Sequence, residues 1–272
     1  MDIARTDLTT AVIMARGLGT RMRKDAAGVE LDATQSTMAD RGMKGMIDVG
    51  RPFLDHVISA AADAGITDVI LVIGPEHDEI RRYYDELPRS RTTVDFAVQQ
   101  PPQGTADALV AAPAAVGDRR FLLMNSDNYY PTDALRALRA VEGHGLVGFD
   151  PRGLVEHGNI PAERVRAFAL IESRAGRLVR IVEKPDEATL ARMGAARVSM
   201  NCFAFDPAIF DHAAAVQPSP RGEYELTDAV RAALAAGEPF TVVESDAGVL
   251  DLSERADVAR VGAALAGREA VL

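Results

Sequence analysis

Short apolar segments alternate with amphipathic segments through residues 1–150, and this alternation restricts the possible folds more than any other feature. The apolar segments predict strands at Ala11–Ala15, Asp68–Ile73, Val94–Gln99, Phe121–Asn125 and Gly145–Phe149. The amphipathic segments predict helices at Phe53–Ala64, Glu76–Glu86, Thr105–Val116 and Thr132–Val141. Strands that alternate with helices are typical of a mostly parallel sheet with helices on its faces. The sequence therefore predicts an α/β, Rossmann-like fold.

The second half of the chain changes to longer predicted strands. Residues 166–172, 178–182 and 199–205 form these strands, with a tight turn at 174–176, and helices return at 225–236 and 254–266. No repeat or linker is visible, so we expect one domain over 1–272. Residues 1–150 and 151–272 would form its two halves, and the second half would include a C-terminal helix.

Residues 25–43 do not fit the alternation. The sequence LDATQSTMAD predicts a short helix, with Asp32 as its N-cap residue. Two interpretations of this segment remain open. It could be a mobile flap beside the glycine-rich turn that precedes it, or a passive surface insertion.

Composition and charge exclude several classes of protein. The net charge of −10 argues against a general nucleic-acid surface, which needs clustered Lys and Arg. No apolar run approaches the ~20 residues of a membrane span, and residues 1–10 contain no apolar core of a signal peptide. The single cysteine, Cys202, fits a reducing compartment. We therefore expect a cytoplasmic protein with no membrane or nucleic-acid partner.

A glycine-rich turn, G-L-G-T-R at 17–21, follows the first predicted strand. The backbone N–H groups of 17–20 could bind phosphate oxygens, and Arg21 could add a cation. Met22 occupies the place of the third glycine of a dinucleotide fingerprint, which disfavours a nicotinamide oxidoreductase. A Walker A loop is also excluded, because no G-K-[ST] follows. An ordinary strand-to-helix turn remains open.

Further motifs carry polar groups at the ends of predicted elements. Asp127 follows an apolar strand, where a lone carboxylate suits Mg²⁺, although it could also be an ordinary turn cap. The amide of Gln99 can donate and accept together, which suits a nucleobase edge. Only three of the 30 basic residues are lysines, and two of them are Lys44 and Lys184. A compact ammonium and a planar guanidinium are not interchangeable at a phosphate.

Taken together and in order, these motifs resemble those of the sugar-1-phosphate nucleotidylyltransferases, from about residue 10 to residue 258. The resemblance includes G-x-G-T-R at 17–21, S-D-N at 126–128, E-K-P at 183–185 and G-E-Y-E-L-T-D at 222–228. It implies the GT-A-like fold of nucleotide-diphospho-sugar transferases, without the C-terminal β-helix domain of some relatives. It also implies NTP and sugar 1-phosphate as substrates and Mg²⁺ as cofactor, and it leaves a homo-oligomer open.

The resemblance assigns a role to each motif residue. Nucleotide binding is implied for Gly17, Leu18, Gly19, Thr20, Arg21, Gln99, Gly104 and Thr105. Sugar-phosphate binding is implied for Asn128, Glu183, Lys184, Asn201 and Glu223. Metal binding is implied for Asp127 and Asp251, and the catalytic set would be Arg21, Lys44, Asp127 and Lys184.

The implied reaction joins an NTP and a sugar 1-phosphate to give a nucleotide sugar and pyrophosphate. A catalytically inactive regulatory subunit on the same fold is the alternative, against which the Asp127/Asp251 pair argues. The chain departs from the family pattern at Arg16, at Ser126 and in the Leu-Ser-Glu that follows Asp251. The sequence leaves both the nucleobase and the sugar or cyclitol phosphate open.

Overall fold

The computed structural model describes residues 8–194 and 196–272. Its strands are β1 (Thr10–Met14), β2 (Asp68–Ile73), β3 (Thr93–Val98), β4 (Phe121–Asn125), β5 (Asn128–Tyr129), β6 (His144–Phe149), β7 (Ala169–Arg174), β8 (Arg177–Val182), β9 (Arg197–Ser199), β10 (Phe203–Phe205), β11 (Phe240–Ser245) and β12 (Leu250–Asp251).

Strands β5 and β12 form a separate two-stranded sheet, and the other strands form a ten-stranded sheet whose two faces are covered by helices. They are α1 (Ala33–Arg41), α2 (Phe53–Asp63), α3 (Asp78–Glu86), α4 (Thr105–Val110), α5 (Pro113–Val116), α6 (Thr132–Arg139), α7 (Pro151–Glu156), α8 (Ala162–Val165), α9 (Glu187–Met193), α10 (Ile209–Ala215), α11 (Leu226–Ala235) and α12 (Arg255–Leu265), with a 3₁₀ turn at Lys44–Met46. In the part of the chain that the structure describes, none of these helices has the length and apolar character to cross a membrane.

The central sheet combines parallel and antiparallel pairs. From one edge its strands run β3-β2-β1-β4-β10-β6-β11. The pairs among β3, β2, β1 and β4 are parallel, as is the pair β6–β11, whereas β10 lies antiparallel between β4 and β6. An antiparallel ribbon of β7 and β8 extends the sheet through β9 and β11. The parallel half therefore has its carboxyl ends at one edge, where open α/β sheets bind ligands.

The core lies on both faces of this sheet because side chains alternate along each strand. On β1, Ile13 packs into one apolar cluster and Val12 into the other, and every residue of the strand is buried. Helix α2 contributes Phe53 and Leu54 to the first cluster, and α11 contributes Val230 to the second. A strand buried on both faces reads as a continuous apolar run, as β1 does in the sequence.

Several predicted elements agree with the structure and others need correction. The strands predicted at Asp68–Ile73 and Phe121–Asn125 have the predicted bounds. The single helix predicted at Thr105–Val116 is wrong. It divides into α4 and α5, because Pro113 lacks the N–H that a continuous helix would need. The continuous strand predicted at 199–205 is also wrong, since the chain turns at Asn201 with a φ of +54°.

The strand predicted at 166–172 begins too early. Residues 162–165 form helix α8, and strand β7 starts only at Ala169. Helices α7, α9 and α10 and strands β5, β11 and β12 were not predicted. The sequence does contain an N-terminal signal for α7, the pair Asp150-Pro151. In the structure Asp150 accepts hydrogen bonds from the N–H groups of Arg152 and Gly153, and Pro151 occupies the first turn.

Residues 25–43 contain the predicted helix, which is confirmed as α1. Asp32 accepts a hydrogen bond from the Gln35 N–H, while the Gln35 side chain accepts from the Asp32 N–H, which is a capping box. Met38 and Ala39 are buried in the first apolar cluster, so the helix is docked on the domain by its own side chains.

Candidate active site

A cavity of about 410 Å³ opens at the carboxyl edge of the parallel strands. It brings together most residues that the sequence assigned to a site. These are Gly17, Leu18, Gly19, Thr20, Arg21, Lys44, Gln99, Gly104, Thr105, Asp127, Asn201 and Glu223. The sheet explains their meeting, because the segments that follow β1, β3 and β4 leave the sheet at the same edge.

The glycine-rich turn presents free backbone donors to this cavity. Among the hydrogen bonds of the described residues, none uses the N–H groups of residues 17–20. Gly19 has a φ of +59°, and a side chain there would collide with the backbone of Gly42, which follows α1. Glycine is therefore required at both positions for the two loops to touch. Consecutive unpaired N–H groups in such a turn form a concave anion site.

Two cations stand beside the turn. The Lys44 Nζ lies 2.6 Å from Oδ2 of Asp127, and both side chains are largely buried, at 15% and 21% exposure. Arg21 donates from Nη2 to the Ser253 Oγ at 3.2 Å. The structure thus places the predicted residues Arg21, Lys44 and Asp127 at one cavity, although they come from three separate segments.

Asp251 lies behind Asp127 in a network of protein donors. Strands β12 and β5 pair Asp251 with Asn128, and the Leu252 N–H donates to the Asp127 carbonyl at 2.8 Å. Oδ1 of Asp251 accepts from Asn128 Nδ2 at 3.0 Å and from Ser253 Oγ at 2.8 Å. Asn128 is only 2% exposed, so its amide faces Asp251 rather than the cavity.

Arg164 supplies the charge that balances this buried carboxylate. Its Nη1 donates to Asp251 Oδ2 and to Asp257 Oδ2, each at 2.9 Å, and its Nη2 donates to Glu254 at 2.6 Å. Burial raises the pKa of Asp251, and the nearby charge of Asp127 raises it further, while Ser253 and Arg164 oppose that rise. The sequence analysis missed Arg164, and no local pattern around it signals this role.

Asp127 and Asp251 suit a hard divalent cation. No cluster of three or more acidic, His or Cys ligands occurs in residues 8–194 and 196–272, so the protein offers two carboxylates. Oδ2 of Asp251 accepts one hydrogen bond, which leaves one lone pair, and the carboxylate of Asp127 lines the cavity. Mg²⁺ is commonly held by one or two carboxylates, with phosphate and water oxygens in its other positions. The donor set therefore fits Mg²⁺.

The amide of Gln99 lies at the other end of the cavity. The side chain is 4% exposed, and Nε2 donates to Asp107 Oδ2 at 2.6 Å and to the Gly104 carbonyl at 3.2 Å. Thr105 accepts the N–H of Leu226, the first residue of α11, at 2.9 Å. The loop after β3 is therefore anchored to the second half of the chain.

Glu183 and Lys184 line a second cavity, of about 690 Å³. Glu225 lines both cavities, so they adjoin, but Lys184 does not line the cavity that holds Lys44. Lys184 is exposed and has a φ of +41°, whereas Glu183 is mostly buried. Burial, followed by the charge of Glu225, raises the pKa of Glu183 to about 7.

Known proteins resemble the chain over most of its length. The family model described as "Nucleotidyl transferase" matches residues 10–252. UTP–glucose-1-phosphate uridylyltransferase AglF of Haloferax volcanii is 28% identical over 89% of this chain and 90% of its own length. A glucose-1-phosphate thymidylyltransferase of Streptomyces griseus is 29% identical over 84% of this chain.

Some relatives are longer than this chain. It spans 58% of the S. griseus protein and 53% of the bifunctional protein GlmU of Maricaulis maris, to which it is 33% identical. Among solved structures, a UDP-glucose pyrophosphorylase complexed with UDP-glucose superposes with a TM-score of 0.74 at 15% identity, covering 96% of this chain and 100% of that one. The TM-score shows that the two chains share a fold.

Proposed function

The chain belongs to the nucleotidyl transferase family, and we propose that it transfers a nucleotidyl group from an NTP to a sugar 1-phosphate. The products are a nucleotide sugar and pyrophosphate. The observation that carries the proposal is the cavity that combines free N–H donors at 17–20 with Arg21, Lys44 and Asp127. Such a set of donors and cations suits a triphosphate.

The chemistry needs no covalent enzyme intermediate, because the attacking group is already an anion. An oxygen of the acceptor phosphate forms a bond to the α-phosphorus of the NTP. The bond from that phosphorus to the bridging oxygen breaks, and pyrophosphate leaves with the electron pair. The enzyme then accelerates the reaction by positioning the two substrates and by balancing charge.

The two halves of the chain divide the substrates. Residues 1–150 bind the NTP, whose phosphates meet the N–H groups of the glycine-rich turn, Arg21 and Lys44. Residues 151–272 bind the acceptor. Lys184 approaches the acceptor phosphate from the adjoining cavity.

The sugar hydroxyl groups need both donors and acceptors. We assign their binding to Glu183, Asn201 and Glu223, where Asn201 and Glu223 line the first cavity and Glu183 the second. Glu225 borders both cavities, which supports one continuous path for the acceptor.

Asp127 and Asp251 would hold the Mg²⁺ ion, which supplies charge neutralisation on the phosphates when it is bound. The Lys44 ammonium lies 2.6 Å from Oδ2 of Asp127, beside the glycine-rich turn. Lys44 is therefore placed to move onto the pyrophosphate oxygens when the nucleotide enters. Asp127 is the direct ligand in this proposal, and Asp251 is the deeper one.

The test is pyrophosphate release with a panel of NTPs and sugar 1-phosphates. Asp127→Asn keeps the size of the side chain but removes its charge, and we expect kcat to fall by ~10²–10³-fold, the scale of one lost transition-state contact. Asp251→Asn should fall in the same direction, and both variants should need more Mg²⁺ for half-maximal rate. The double variant should be little worse than either, since groups that act as a unit are not additive.

Asp133→Asn is the matched control, because Asp133 is exposed on α6, away from both cavities. Its kcat should equal that of the wild type. The proposal would be contradicted if Asp127→Asn released pyrophosphate at the wild-type rate. It would also be contradicted if no member of the acceptor panel supported pyrophosphate release.

A further inference from the structure

Arg255 is a buried cation at the start of α12, and its side chain reaches the residue that follows the glycine-rich turn. The side chain is 9% exposed, although the charge of a guanidinium favours water. Nε donates to the Met22 carbonyl at 3.1 Å, and Nη2 donates to Oδ1 of Asp40 on α1. Asp25 lies farther away, with its Oδ1 3.6 Å from Nη2. One side chain of α12 therefore joins the end of the turn to α1.

The glycine-rich turn depends on the groups that hold its two ends. The N–H groups of 17–20 have no partner among the described residues, so they do not themselves hold the turn in place. Before the turn, the Ala15 N–H bonds to β2 at 2.8 Å. After it, the Met22 side chain is fully buried in the first apolar cluster, and the Met22 carbonyl accepts from Arg255. The direction of the free N–H groups therefore depends in part on Arg255.

Helix α1 touches the turn with its last residues. A side chain at Gly42 would collide with the backbone of the turn and with Nε of Arg23. Nη2 of Arg23 donates to the Arg41 carbonyl at 2.7 Å. Asp40 belongs to the same end of α1, so Arg255 binds the helix where the helix contacts the turn.

The shape of the guanidinium matters more here than its charge. The Asp40 side chain is 66% exposed, and an ion pair with so exposed a partner contributes little by itself. A guanidinium is a rigid planar fork, so its Nε and Nη2 donors fix the Met22 carbonyl and the Asp40 carboxylate relative to each other. Ser253 accepts from Arg21, so residues 253–255 hold two consecutive residues, 21 and 22.

We propose that Arg255 is a positioning residue for nucleotide binding. It holds the glycine-rich turn against α1, in the conformation that directs the N–H groups of 17–20 at the phosphates of an NTP. Arg255 does not line the first cavity, so it acts through the turn and not by contact with the nucleotide. This inference rests on the proposed function, because it concerns the NTP that the same cavity takes. Loss of Arg255 should therefore weaken binding of the phosphates more than binding of the rest of the nucleotide.

The experiment measures equilibrium binding of UTP, dTTP, GTP, ATP and CTP and of the five corresponding monophosphates, together with pyrophosphate release from the sugar 1-phosphate panel. The readout is the ratio of triphosphate to monophosphate affinity for the base that binds best. Arg255→Met keeps an unbranched side chain and removes both donors. It should weaken triphosphate binding by about 10-fold and monophosphate binding by less than about 2-fold, with the KM for the acceptor unchanged.

Two variants separate geometry from charge. Arg255→Lys keeps the cation beside Asp40 but replaces the fork by a single ammonium, so it should recover only part of the lost ratio. Asp40→Asn removes the charge that anchors the fork to α1 and should lower the ratio by a smaller factor, about 3-fold, as expected for an exposed partner. Asp40→Asn also carries the test if Arg255→Met fails to fold.

Arg260→Met is the matched control, because Arg260 is exposed on the same helix and lines neither the first nor the second cavity. It makes the same substitution five positions farther along α12. Its ratio of triphosphate to monophosphate affinity should equal that of the wild type.

Three results would overturn the inference. They are an unchanged ratio in folded Arg255→Met, an equal loss of triphosphate and monophosphate binding, which indicates a merely structural role, and full recovery of the ratio in Arg255→Lys. If Arg255→Met does not fold, an unchanged ratio in Asp40→Asn overturns it. The two readouts separate this failure from that of the proposed function. A ratio that falls as expected in a protein that releases no pyrophosphate would contradict the function alone. Pyrophosphate release by the wild type, with an unchanged ratio in the variants, would contradict the positioning role alone.

Discussion

Protonation of Glu183 should make the stability of the fold depend on pH. Glu183 is largely buried beside Glu225, and its pKa rises from the ordinary 4.5 to about 7. Between those two values the folded protein holds a proton that the unfolded chain has lost. Raising the pH through this window therefore penalises the folded state, and the stabilising effect of the proton is present at low pH and lost as the pH passes 7.

The magnitude follows from the width of the window. One pKa unit corresponds to 1.36 kcal/mol, so a window from 4.5 to about 7 corresponds to about 3 kcal/mol of unfolding free energy. Glu183→Gln has nearly the shape of the protonated acid and does not titrate. It should exceed the wild type by only about 0.8 kcal/mol at pH 5, half a unit above the ordinary pKa, and by about 3 kcal/mol at pH 8.

Urea denaturation at pH 5, 6, 7 and 8 measures this difference for both proteins. Glu172→Gln is the control, because Glu172 is exposed on β7, the strand that pairs with β8. Its difference from the wild type should stay constant across the series. If the difference between Glu183→Gln and the wild type also stays constant, the argument from burial and from the charge of Glu225 is refuted.

Three further predictions concern the acceptor, the buried network and helix α1. Lys184→Arg should raise the KM for the sugar 1-phosphate and retain that for the NTP, because a guanidinium is wider and planar; steady-state kinetics with an unchanged acceptor KM would show otherwise. Arg164→Gln should lower the unfolding free energy in urea by about 3–5 kcal/mol, since Asp251 and Asp257 lose their cation, and a loss under about 1 kcal/mol would contradict that role. Hydrogen exchange across 32–43 should slow with NTP and Mg²⁺ if the segment is a flap, whereas equal protection would favour a passive insertion.

The parts of the fold that the sequence predicts are those encoded by neighbours in the chain. Strand β2 is a continuous apolar run, and α1 begins with an Asp and a Gln three residues apart that cap each other. The break at Asn201 is different. The apolar pattern of 199–205 continues through it, and the turn is held from outside, where the Tyr130 hydroxyl donates to the Met200 carbonyl at 2.6 Å. The apolar pattern of 199–205 therefore cannot predict a turn that depends on Tyr130, a residue far away in the sequence.

The residues of the candidate site also fall into those that the sequence predicts and those that it does not. The motifs supply most of the assigned residues that line the first cavity, whereas Asn128, Asp251, Glu183 and Lys184 do not line it. Arg164 was missed, since it acts on Asp251 without standing in a motif. Asp107 stands in the G-T-A-D-A segment at 104–108, but the sequence analysis assigned it no role. Arg164 reaches Asp251 across 87 positions, and Asp107 fixes Gln99 across eight. Residues of this kind are found only when the fold brings the partners together.

The loop after Asp251 shows how a departure from the family pattern is offset. Ser253, the second residue of the Leu-Ser-Glu segment that follows Asp251, donates to Asp251 Oδ1 at 2.8 Å and accepts from Arg21 Nη2 at 3.2 Å. Glu254, at the next position, accepts from Arg164 and caps helix α12. The substituted side chains therefore tie the deeper carboxylate to the glycine-rich turn. The Ser253 hydroxyl therefore connects the Arg21 guanidinium to the Asp251 carboxylate, a link that a glycine at 253 would lack.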